Sequence, residues 1–406
     1  MQVIGNQMND KIFHPVEIGT IKLRNSIIRS ATHEGMADEQ GYPTDILMKK
    51  YEVLAKNDVG CIITGYAGIM LNGKTNYHNM LMINDDSFIA PYKRMTQKVH
   101  EYQTPIILQI AHCGRQTRSK STGFPTVAPS AIKDKSFSED TPKELSEQEI
   151  YEIIDQFVNA IDRTQKAGFD GVQLHLAHGY LLAQFLSSYT NRRTDKWGGS
   201  TTNKFRIISV IFEKAKRLAG DFPILVKINA HDGRKGGMRL AESIEIAKML
   251  EQAGCAGIEV SCGVHEDGLY TTRGDKLPME AIFKYNFNYK YYPSAIKAVM
   301  KYLAPILTKK IKPIENYNVD FANEIKKNVK IPVIVVGGIR SIESIKTIIS
   351  EEKADFVSMS KPFIIEPNIV KKFKDGIQSK SKCIECNYCL IATEESPLKC
   401  YHGKIN

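Results

Sequence analysis

The stretch "AGFDGVQLHLAHG", residues 167–179, decides the fold that this sequence predicts. A helical segment ends at a glycine, a tight connection follows, and an apolar strand begins at once. The same order returns in "AGCAGIEVS" at residues 253–261 and in "EKADFVSMS" at residues 352–360. This weak internal repeat indicates alternating helices and strands, and therefore a largely parallel sheet.

Eight strands emerge when the same signals are followed along the chain in both directions. Most are almost continuous runs of β-branched or apolar residues, which is typical of strands buried on both faces of a parallel sheet. The predicted strands are residues 26–32, 60–66, 105–112, 171–177, 223–230, 256–263, 331–338 and 355–360.

Amphipathic helices separate several of these strands. The helix at residues 146–168 begins with a capping box, in which Ser146 is followed three residues later by Glu149, and it ends at Gly168. Residues 242–254 repeat the pattern. Eight strands with such helices favour a (β/α)8 TIM barrel, which we expect over residues 1–370.

Two regions do not fit the repeat. Residues 262–325 form a long insertion after strand 6 that contains the aromatic stretch "FKYNFNYKYYP". This insertion is either a lid that walls the substrate or an exposed helical decoration, and the sequence supports both equally. Residues 371–406 form a Cys-rich C-terminal extension.

The composition is that of an ordinary globular chain, with 42% hydrophobic and 25% charged residues among 406. The net charge of +10 comes from lysines spread along the chain, which favours a solvated surface over a nucleic-acid site. We expect no membrane span, because no apolar run approaches about 18 residues. The N-terminus lacks a signal pattern, so we expect a cytoplasmic protein, in which Cys61, Cys113, Cys255 and Cys262 are reduced core thiols.

Polar residues gather at the carboxyl ends of the predicted strands, where barrel enzymes place their active sites. The candidates selected in this way are Thr32, His33, Gly65, Tyr66, Gln109, His112, His175, His178, Lys227, Asn229, Ser261, Gly337, Gly338, Ser360 and Lys361.

His175 and His178 stand three residues apart where the fourth strand ends. Two imidazole N–H groups aimed at one carbonyl oxygen would stabilise negative charge on that oxygen. Two packing histidines are the alternative, and zinc is less favoured because no third ligand lies nearby in the sequence. Tyr180 follows, and a phenol with a pKa near 10 can act as a general acid at neutral pH. The alternative interpretation of Tyr180 is an ordinary aromatic residue at the start of a helix.

Five blocks of the chain resemble the Old Yellow Enzyme family of FMN-dependent barrel oxidoreductases. They are "NSIIRSATHEGMADEQGYPT", "ILQIAHCGR", "GVQLHLAHGYLLAQFLSSYTNRRTDKWGGS", "PVIVVGGI" and "ADFVSMSKPFIIEP". They follow the family's order over residues 11–370, and the bacterial branch that includes the barrel half of 2,4-dienoyl-CoA reductase is the most similar. The resemblance implies that His175 and His178 hold a substrate carbonyl oxygen and that Tyr180 protonates the α-carbon.

The resemblance also implies FMN, with Gln109 and Lys227 at its pyrimidine edge. Lys227 and Lys361 occupy positions where the family usually has Arg, which keeps the charge but loses the bidentate fork. His33 stands where relatives carry Thr, Cys or His, and the resemblance implies that it either tunes the flavin potential or touches the substrate. The cofactor-binding residues implied are Ala31, Thr32, His33, Tyr66, Gln109, Lys227, Gly337, Gly338, Ser360 and Lys361.

NAD(P)H is the implied reductant, and no G-x-G-x-x-G motif follows a strand. The resemblance implies that it enters the same cavity as the substrate and leaves before it. We expect an enzyme that reduces the C=C bond of a small α,β-unsaturated carbonyl compound. The alternatives are an amine dehydrogenase or demethylase on the same barrel, a lyase with Lys227 as Schiff base, and a non-catalytic binding protein. The sequence leaves the oligomeric state open, a homo-oligomer included.

The last four cysteines, Cys383, Cys386, Cys389 and Cys400, have the spacing C-x2-C-x2-C-x10-C. Four cysteines so close together are typical of a metal site in a reduced compartment. Relatives with an iron–sulfur cluster here have one more residue between the second and third cysteine. A [4Fe–4S] cluster, a structural Zn²⁺ and unmetallated thiols all remain open.

Overall fold

A computed structural model describes residues 11–77, 79–134, 140–267, 278–286, 288–307 and 314–404. Its centre is a closed barrel of eight parallel strands, in which each strand pairs with the next and β8 pairs with β1 to close the ring. The strands are β1 Ile27–Arg29, β2 Cys61–Ile63, β3 Ile106–Ala111, β4 Gly171–Leu176, β5 Ile224–Asn229, β6 Gly257–Ser261, β7 Val333–Val336 and β8 Phe356–Met359. The predicted (β/α)8 barrel is confirmed, and each predicted strand contains one of these.

The helices lie around and above the barrel, together with short strands outside the ring. The helices are Asp45–Ala55, Ile89–His100, Ser119–Thr122, Glu147–Lys166, Leu181–Leu186, Thr201–Ala219, Leu240–Gln252, Met279–Tyr285, Ser294–Leu307, Val319–Lys326, Ile342–Ser350, Lys361–Ile365, Ile369–Lys374 and Tyr388–Ala392. The short strands are Val16–Ile18, Ile21–Leu23, Ala67–Gly68, Leu81–Met82, Val127–Ala128 and Lys143–Glu144. No helix in the described ranges combines the length and apolarity needed to cross a membrane.

The barrel interior changes from apolar to polar along the strands. Because strand side chains alternate in direction, every second residue points inward. Near the amino ends, Ile28, Ile107, Leu225, Ile334 and Phe356 form a buried apolar cluster, which the hairpin of residues 16–23 covers. At the next inward-pointing position toward the carboxyl end of the strands, the side chains are polar. The apolar layer closes the bottom of the barrel and leaves the carboxyl ends for chemistry.

The helix Glu147–Lys166 shows how the sequence sets these elements. The Ser146 hydroxyl accepts a hydrogen bond from the Glu149 amide at 3.3 Å, and the Glu149 carboxylate accepts one from the Ser146 amide at 2.9 Å. This is the predicted capping box, and it satisfies backbone donors that lack partners inside the helix. The apolar face of the helix, including Ile154 and Phe157, is buried against the barrel.

We expect Ser146→Ala to lower the free energy of unfolding by about 1 kcal/mol, because the helix loses its N-cap acceptor. Chemical denaturation monitored by far-UV circular dichroism measures the change. Ser121→Ala, at an exposed serine, is the control and should stay within about 0.5 kcal/mol of the parent. Equal stabilities for the two variants would contradict the capping role.

The insertion after β6 rests on the C-terminal extension. The Asn286 amide donates to the Glu394 carboxylate at 2.9 Å, Lys290 forms an ion pair with Glu395, and the Tyr388 hydroxyl donates to Glu280 at 3.1 Å. Most of residues 294–304 in helix Ser294–Leu307 are exposed, and the lid and the decoration both stay predictions. Residues 268–277, 287 and 308–313 of the predicted insertion lie outside the described residues.

Candidate active site

The turn after β4 brings His175, His178 and Tyr180 together at the carboxyl end of the barrel. The strand ends at Leu176, and His178 adopts a φ of +59°, a conformation rare for residues other than glycine. This turn folds the His178 ring back beside His175, with ring centroids 5.1 Å apart at 80°. Backbone strain of this kind is frequent where function requires a special geometry.

Both histidines are held by hydrogen bonds. The Ala177 amide donates to His175 Nδ1 at 3.3 Å, which places the ring proton on Nε2 in the neutral form. His178 Nε2 lies 2.7 Å from the Ser261 hydroxyl at the end of β6. Burial lowers the pKa of His175 well below its ordinary value, and burial lowers the pKa of His178 to about 3. Both rings are therefore neutral at physiological pH, with one N–H donor each.

Tyr180 lies against the first histidine of this pair. Its ring centroid is 4.7 Å from that of His175 and 5.3 Å from that of Tyr66. Burial raises the pKa of Tyr180 well above its ordinary value of about 10. The phenol therefore keeps its proton throughout the neutral range and is available as a donor.

We expect the rate of substrate reduction to be nearly independent of pH, within about threefold between about pH 5 and pH 9. Burial lowers the pKa of His178 to about 3 and the pKa of His175 well below its ordinary value, and burial raises the pKa of Tyr180, so we expect none of the three to change its protonation state in this window. Single-turnover reoxidation of the reduced flavin by the substrate, at constant ionic strength, measures this rate. An ascending limb near pH 6.5 would show instead that a histidine titrates normally.

Aromatic rings form one wall of the site. His33 lies 5.4 Å from Tyr66 and 5.8 Å from Tyr77 between ring centroids, and the Tyr77 hydroxyl lies 3.1 Å from His265 Nε2. Tyr77 and His265 were not predicted, since both lie in loops whose path no local pattern fixes. His33 and Tyr66 lie in the wall, beside the predicted catalytic residues.

A buried polar layer lies below the histidines. The Gln109 amide donates to Gln173 at 2.7 Å, and the Gln173 amide donates to Glu259 at 2.8 Å. Lys227 Nζ lies 3.3 Å from the Glu259 carboxylate and donates to the Ser30 hydroxyl at 3.0 Å. The strand-end pattern predicts Gln109 and Lys227 but not Gln173 and Glu259. The available signal was a polar residue at the centre of an otherwise apolar strand.

The strand-end residues on the opposite side of the barrel are a second group. The hydroxyls of Thr32 and Ser360 lie 2.7 Å apart, which joins the loops after β1 and β8. Ala31 precedes Thr32 and is partly buried, and Lys361 begins the short helix after β8. Ser360 and Lys361 lie on the loop after β8, and many barrel enzymes bind phosphate with the loops after β7 and β8.

Gly337 and Gly338, which follow β7, have φ values of +146° and +68°. A Cβ atom at Gly337 would lie 2.8 Å from the Asn318 side-chain nitrogen, and one at Gly338 would lie 2.4 Å from the Ile314 carbonyl oxygen. Glycine is required because residues 314–318 pack against this turn. Within the described ranges, the two glycine amides have no hydrogen-bond acceptor, so they can serve a bound anion.

The chemistry of these groups fits FMN. Gln109 offers a donor and an acceptor, and Lys227 a cation, which suit the pyrimidine edge of a flavin. The amides of Gly337 and Gly338, with the Lys361 ammonium, suit a phosphate. Thr32, Ser360 and Tyr66 lie at the same end of the barrel, so the set can surround one planar cofactor.

His112, one of the strand-end candidates, has a different role. Its Nδ1 accepts from the Gly114 amide at 3.0 Å and its Nε2 lies 3.1 Å from the Asn72 side chain. Both ring nitrogens are occupied, and burial lowers the pKa of His112 to about 3. The ring therefore joins two loops as a neutral structural group.

The tail cysteines Cys383, Cys386, Cys389 and Cys400 are free and partly buried. Burial raises the pKa of Cys389 to about 12. Across the described part of the chain, no three His, Cys, Asp or Glu side chains are arranged to hold a metal ion. Metal binding by the tail therefore stays a prediction.

Comparisons with known proteins agree with this geometry. The chain is 36% identical over 379 residues to an NADH oxidase of Thermoanaerobacter brockii, covering 93% of this chain and 52% of the relative. It is 27% identical over 391 residues to an N,N-dimethylglycine/sarcosine dehydrogenase of Chromohalobacter salexigens, covering 94% and 51%. The chain thus spans about half the length of both relatives.

A solved structure shares the fold. The Old Yellow Enzyme homologue of Zymomonas mobilis superposes with a TM-score of 0.73 at 24% identity, covering 98% of this chain and 99% of that one. Barrel and relatives together define the class of flavin-dependent barrel oxidoreductases. The chain belongs to the NADH:flavin oxidoreductase / NADH oxidase family, whose sequence profile matches residues 11–266 and 287–380. The resemblance inferred from the sequence blocks is confirmed.

Proposed function

We propose that this protein uses FMN and NAD(P)H to reduce the C=C bond of small α,β-unsaturated carbonyl compounds. The observation that carries the proposal is the grouping of His175, His178 and Tyr180. Two neutral imidazoles with N–H donors lie beside a phenol that keeps its proton. Besides a hydride, reduction of such an alkene requires hydrogen-bond donors to the carbonyl oxygen and a proton for the α-carbon. These three side chains offer both.

Each side chain has a distinct task. His175 and His178 donate hydrogen bonds to the substrate carbonyl oxygen, and these bonds strengthen as negative charge develops on it. Tyr180 delivers the proton to the α-carbon from its hydroxyl. FMN, held by residues that include Gln109 and Lys227, would supply the hydride for the β-carbon, with NAD(P)H as the source of that hydride. The buried walls exclude bulk water, which strengthens these interactions.

The cofactor would be held from both sides of the barrel. Gln109 and Lys227 would hold the pyrimidine edge, and Gly337, Gly338 and Lys361 would bind the phosphate. Ala31, Thr32, His33, Tyr66 and Ser360 line the remaining surface. NAD(P)H and the substrate would use the same cavity in turn. We place the protein in the cytoplasm, where its eight cysteines would remain reduced thiols.

Anaerobic stopped-flow spectroscopy tests the proposal. The purified protein should be yellow, NADH or NADPH should bleach the flavin band, and 2-cyclohexenone should restore it with formation of cyclohexanone. A colourless protein that cannot bind FMN would overturn the proposal, and so would a flavoprotein without NAD(P)H turnover. A broad brown shoulder would report a [4Fe–4S] cluster in the tail, and elemental analysis would report zinc.

Oxidation of an amine is the second candidate function. It is favoured by the similarity to the dimethylglycine/sarcosine dehydrogenase and by the rings of His33, Tyr66 and Tyr77, because aromatic faces attract cations. Anaerobic bleaching of the flavin by a methylated amine, without NAD(P)H, would identify this function. The Schiff-base lyase has no comparable support, because Lys227 is ion-paired with Glu259.

A further inference from the structure

Glu259 lies at the centre of β6 and is completely buried, with 0% of its surface exposed. Its Oε1 accepts hydrogen bonds from the Ser30 hydroxyl at 2.6 Å and the Ser358 hydroxyl at 2.7 Å. Its Oε2 accepts from Gln173 at 2.8 Å and lies 3.3 Å from Lys227 Nζ. A carboxylate has about four acceptor positions, and here each has a partner.

The Glu259 carboxylate stays ionised although it is buried inside the barrel. Burial alone would raise the pKa of Glu259, but Lys227 and the three hydrogen bonds bring that pKa below its ordinary value. In return, Glu259 opposes the effect of burial, which lowers the pKa of Lys227. An unpaired charge at this depth would be strongly unfavourable, so each partner maintains the ionised form of the other.

A carboxylate also sets the direction of the amides beyond it. An ionised Glu259 can only accept, so Gln173 must turn its –NH₂ group toward it. The Gln173 carbonyl oxygen then faces Gln109, which must in turn donate, as observed at 2.7 Å. This order leaves the carbonyl oxygen of Gln109 and one N–H free to meet a ligand.

We propose that Glu259 is a positioning residue for the flavin. Its ion pair with Lys227 and its hydrogen bond from Ser30 fix the position of the Lys227 ammonium. Its hydrogen bond from Gln173 fixes the orientation of the Gln109 amide at the pyrimidine edge. The proposal rests on the function proposed above, in that Gln109 and Lys227 are taken to face bound FMN. Glu259 itself touches neither cofactor nor substrate.

Titration of the apoprotein with FMN, followed by the quenching of flavin fluorescence, tests this role. Glu259→Gln keeps the size of the side chain but can donate, so we expect the FMN dissociation constant to rise at least about tenfold. Glu366→Gln is the matched control, because Glu366 is a buried carboxylate that also binds a lysine and a serine. This control should bind FMN as the parent does.

A double-mutant cycle separates positioning from general damage. Gln109→Leu should weaken FMN binding clearly in the parent, but by less than about threefold in the Glu259→Gln background, since the amide is already misdirected. Additive losses would overturn the proposal. Gln173→Met, which breaks the relay and leaves the Lys227–Glu259 pair in place, should also weaken binding if Glu259→Gln does not fold.

The outcomes also distinguish this inference from the proposed function. If the parent apoprotein does not bind FMN, the proposed function fails. If the parent binds FMN and Glu259→Gln and Gln173→Met bind it equally well, only the positioning role fails.

Discussion

Replacing Tyr180 by Phe is expected to slow the reduction of an α,β-unsaturated ketone by about 100-fold or more. The phenol is buried 4.7 Å from the His175 ring between centroids, and its raised pKa keeps the proton in place until it is needed. Phenylalanine fills the same volume but carries no proton. Flavin reduction by NAD(P)H requires no proton from this side chain, so its rate should remain nearly unchanged. Stopped-flow measurement of the two half-reactions compares them directly.

The control for Tyr180→Phe is Tyr92→Phe. Tyr92 is fully buried, and its hydroxyl donates to the Met82 carbonyl oxygen at 2.9 Å, away from the three residues of the site. Loss of that bond should lower stability by about 1 kcal/mol without changing either half-reaction. If Tyr180→Phe slowed both half-reactions equally, the assignment of Tyr180 as proton donor would be wrong.

The second large effect is expected for His178→Ala. Removal of one donor to a developing oxyanion typically costs about 100-fold in rate, and the alkene half-reaction should slow by that factor. His178→Asn retains an N–H donor on a shorter side chain and should recover part of the loss. Steady-state and single-turnover rates with 2-cyclohexenone measure both variants.

His100→Ala provides the matched control. His100 pairs with Asp170, which precedes β4 and lies at the amino end of the barrel, remote from the site. The His100→Ala variant should therefore leave the rates of both half-reactions unchanged. An unaltered alkene rate in His178→Ala would remove this histidine from the mechanism.

The fold was predictable because its signals are local. The strands of a parallel barrel are short apolar runs, and helix ends such as the Ser146 capping box depend on a few neighbouring residues. Strand order and closure follow from the repeat. The contacts between the insertion and the tail were not predictable, because pairs such as Asn286 with Glu394 are separated by 108 residues.

The site was predictable where a residue lies at a strand end. That criterion found His175, His178, Gln109 and Lys227, because strand ends of a barrel meet at one face. It could not assign roles, and it also selected His112, whose ring nitrogens are both occupied within the fold. Glu259 and its partners needed the register between strands, which pairs Lys227 with Glu259 across β5 and β6.

The joint between the insertion and the tail has a consequence for protein engineering. Substrate range in barrel enzymes is often altered by transplanting a loop from a relative, which treats each loop as independent. Here a transplanted insertion would lack Asn286 and Lys290, and Glu394 and Glu395 in the tail would lose their partners. A chimera that keeps these contacts must therefore exchange residues 278–307 and residues 383–404 together.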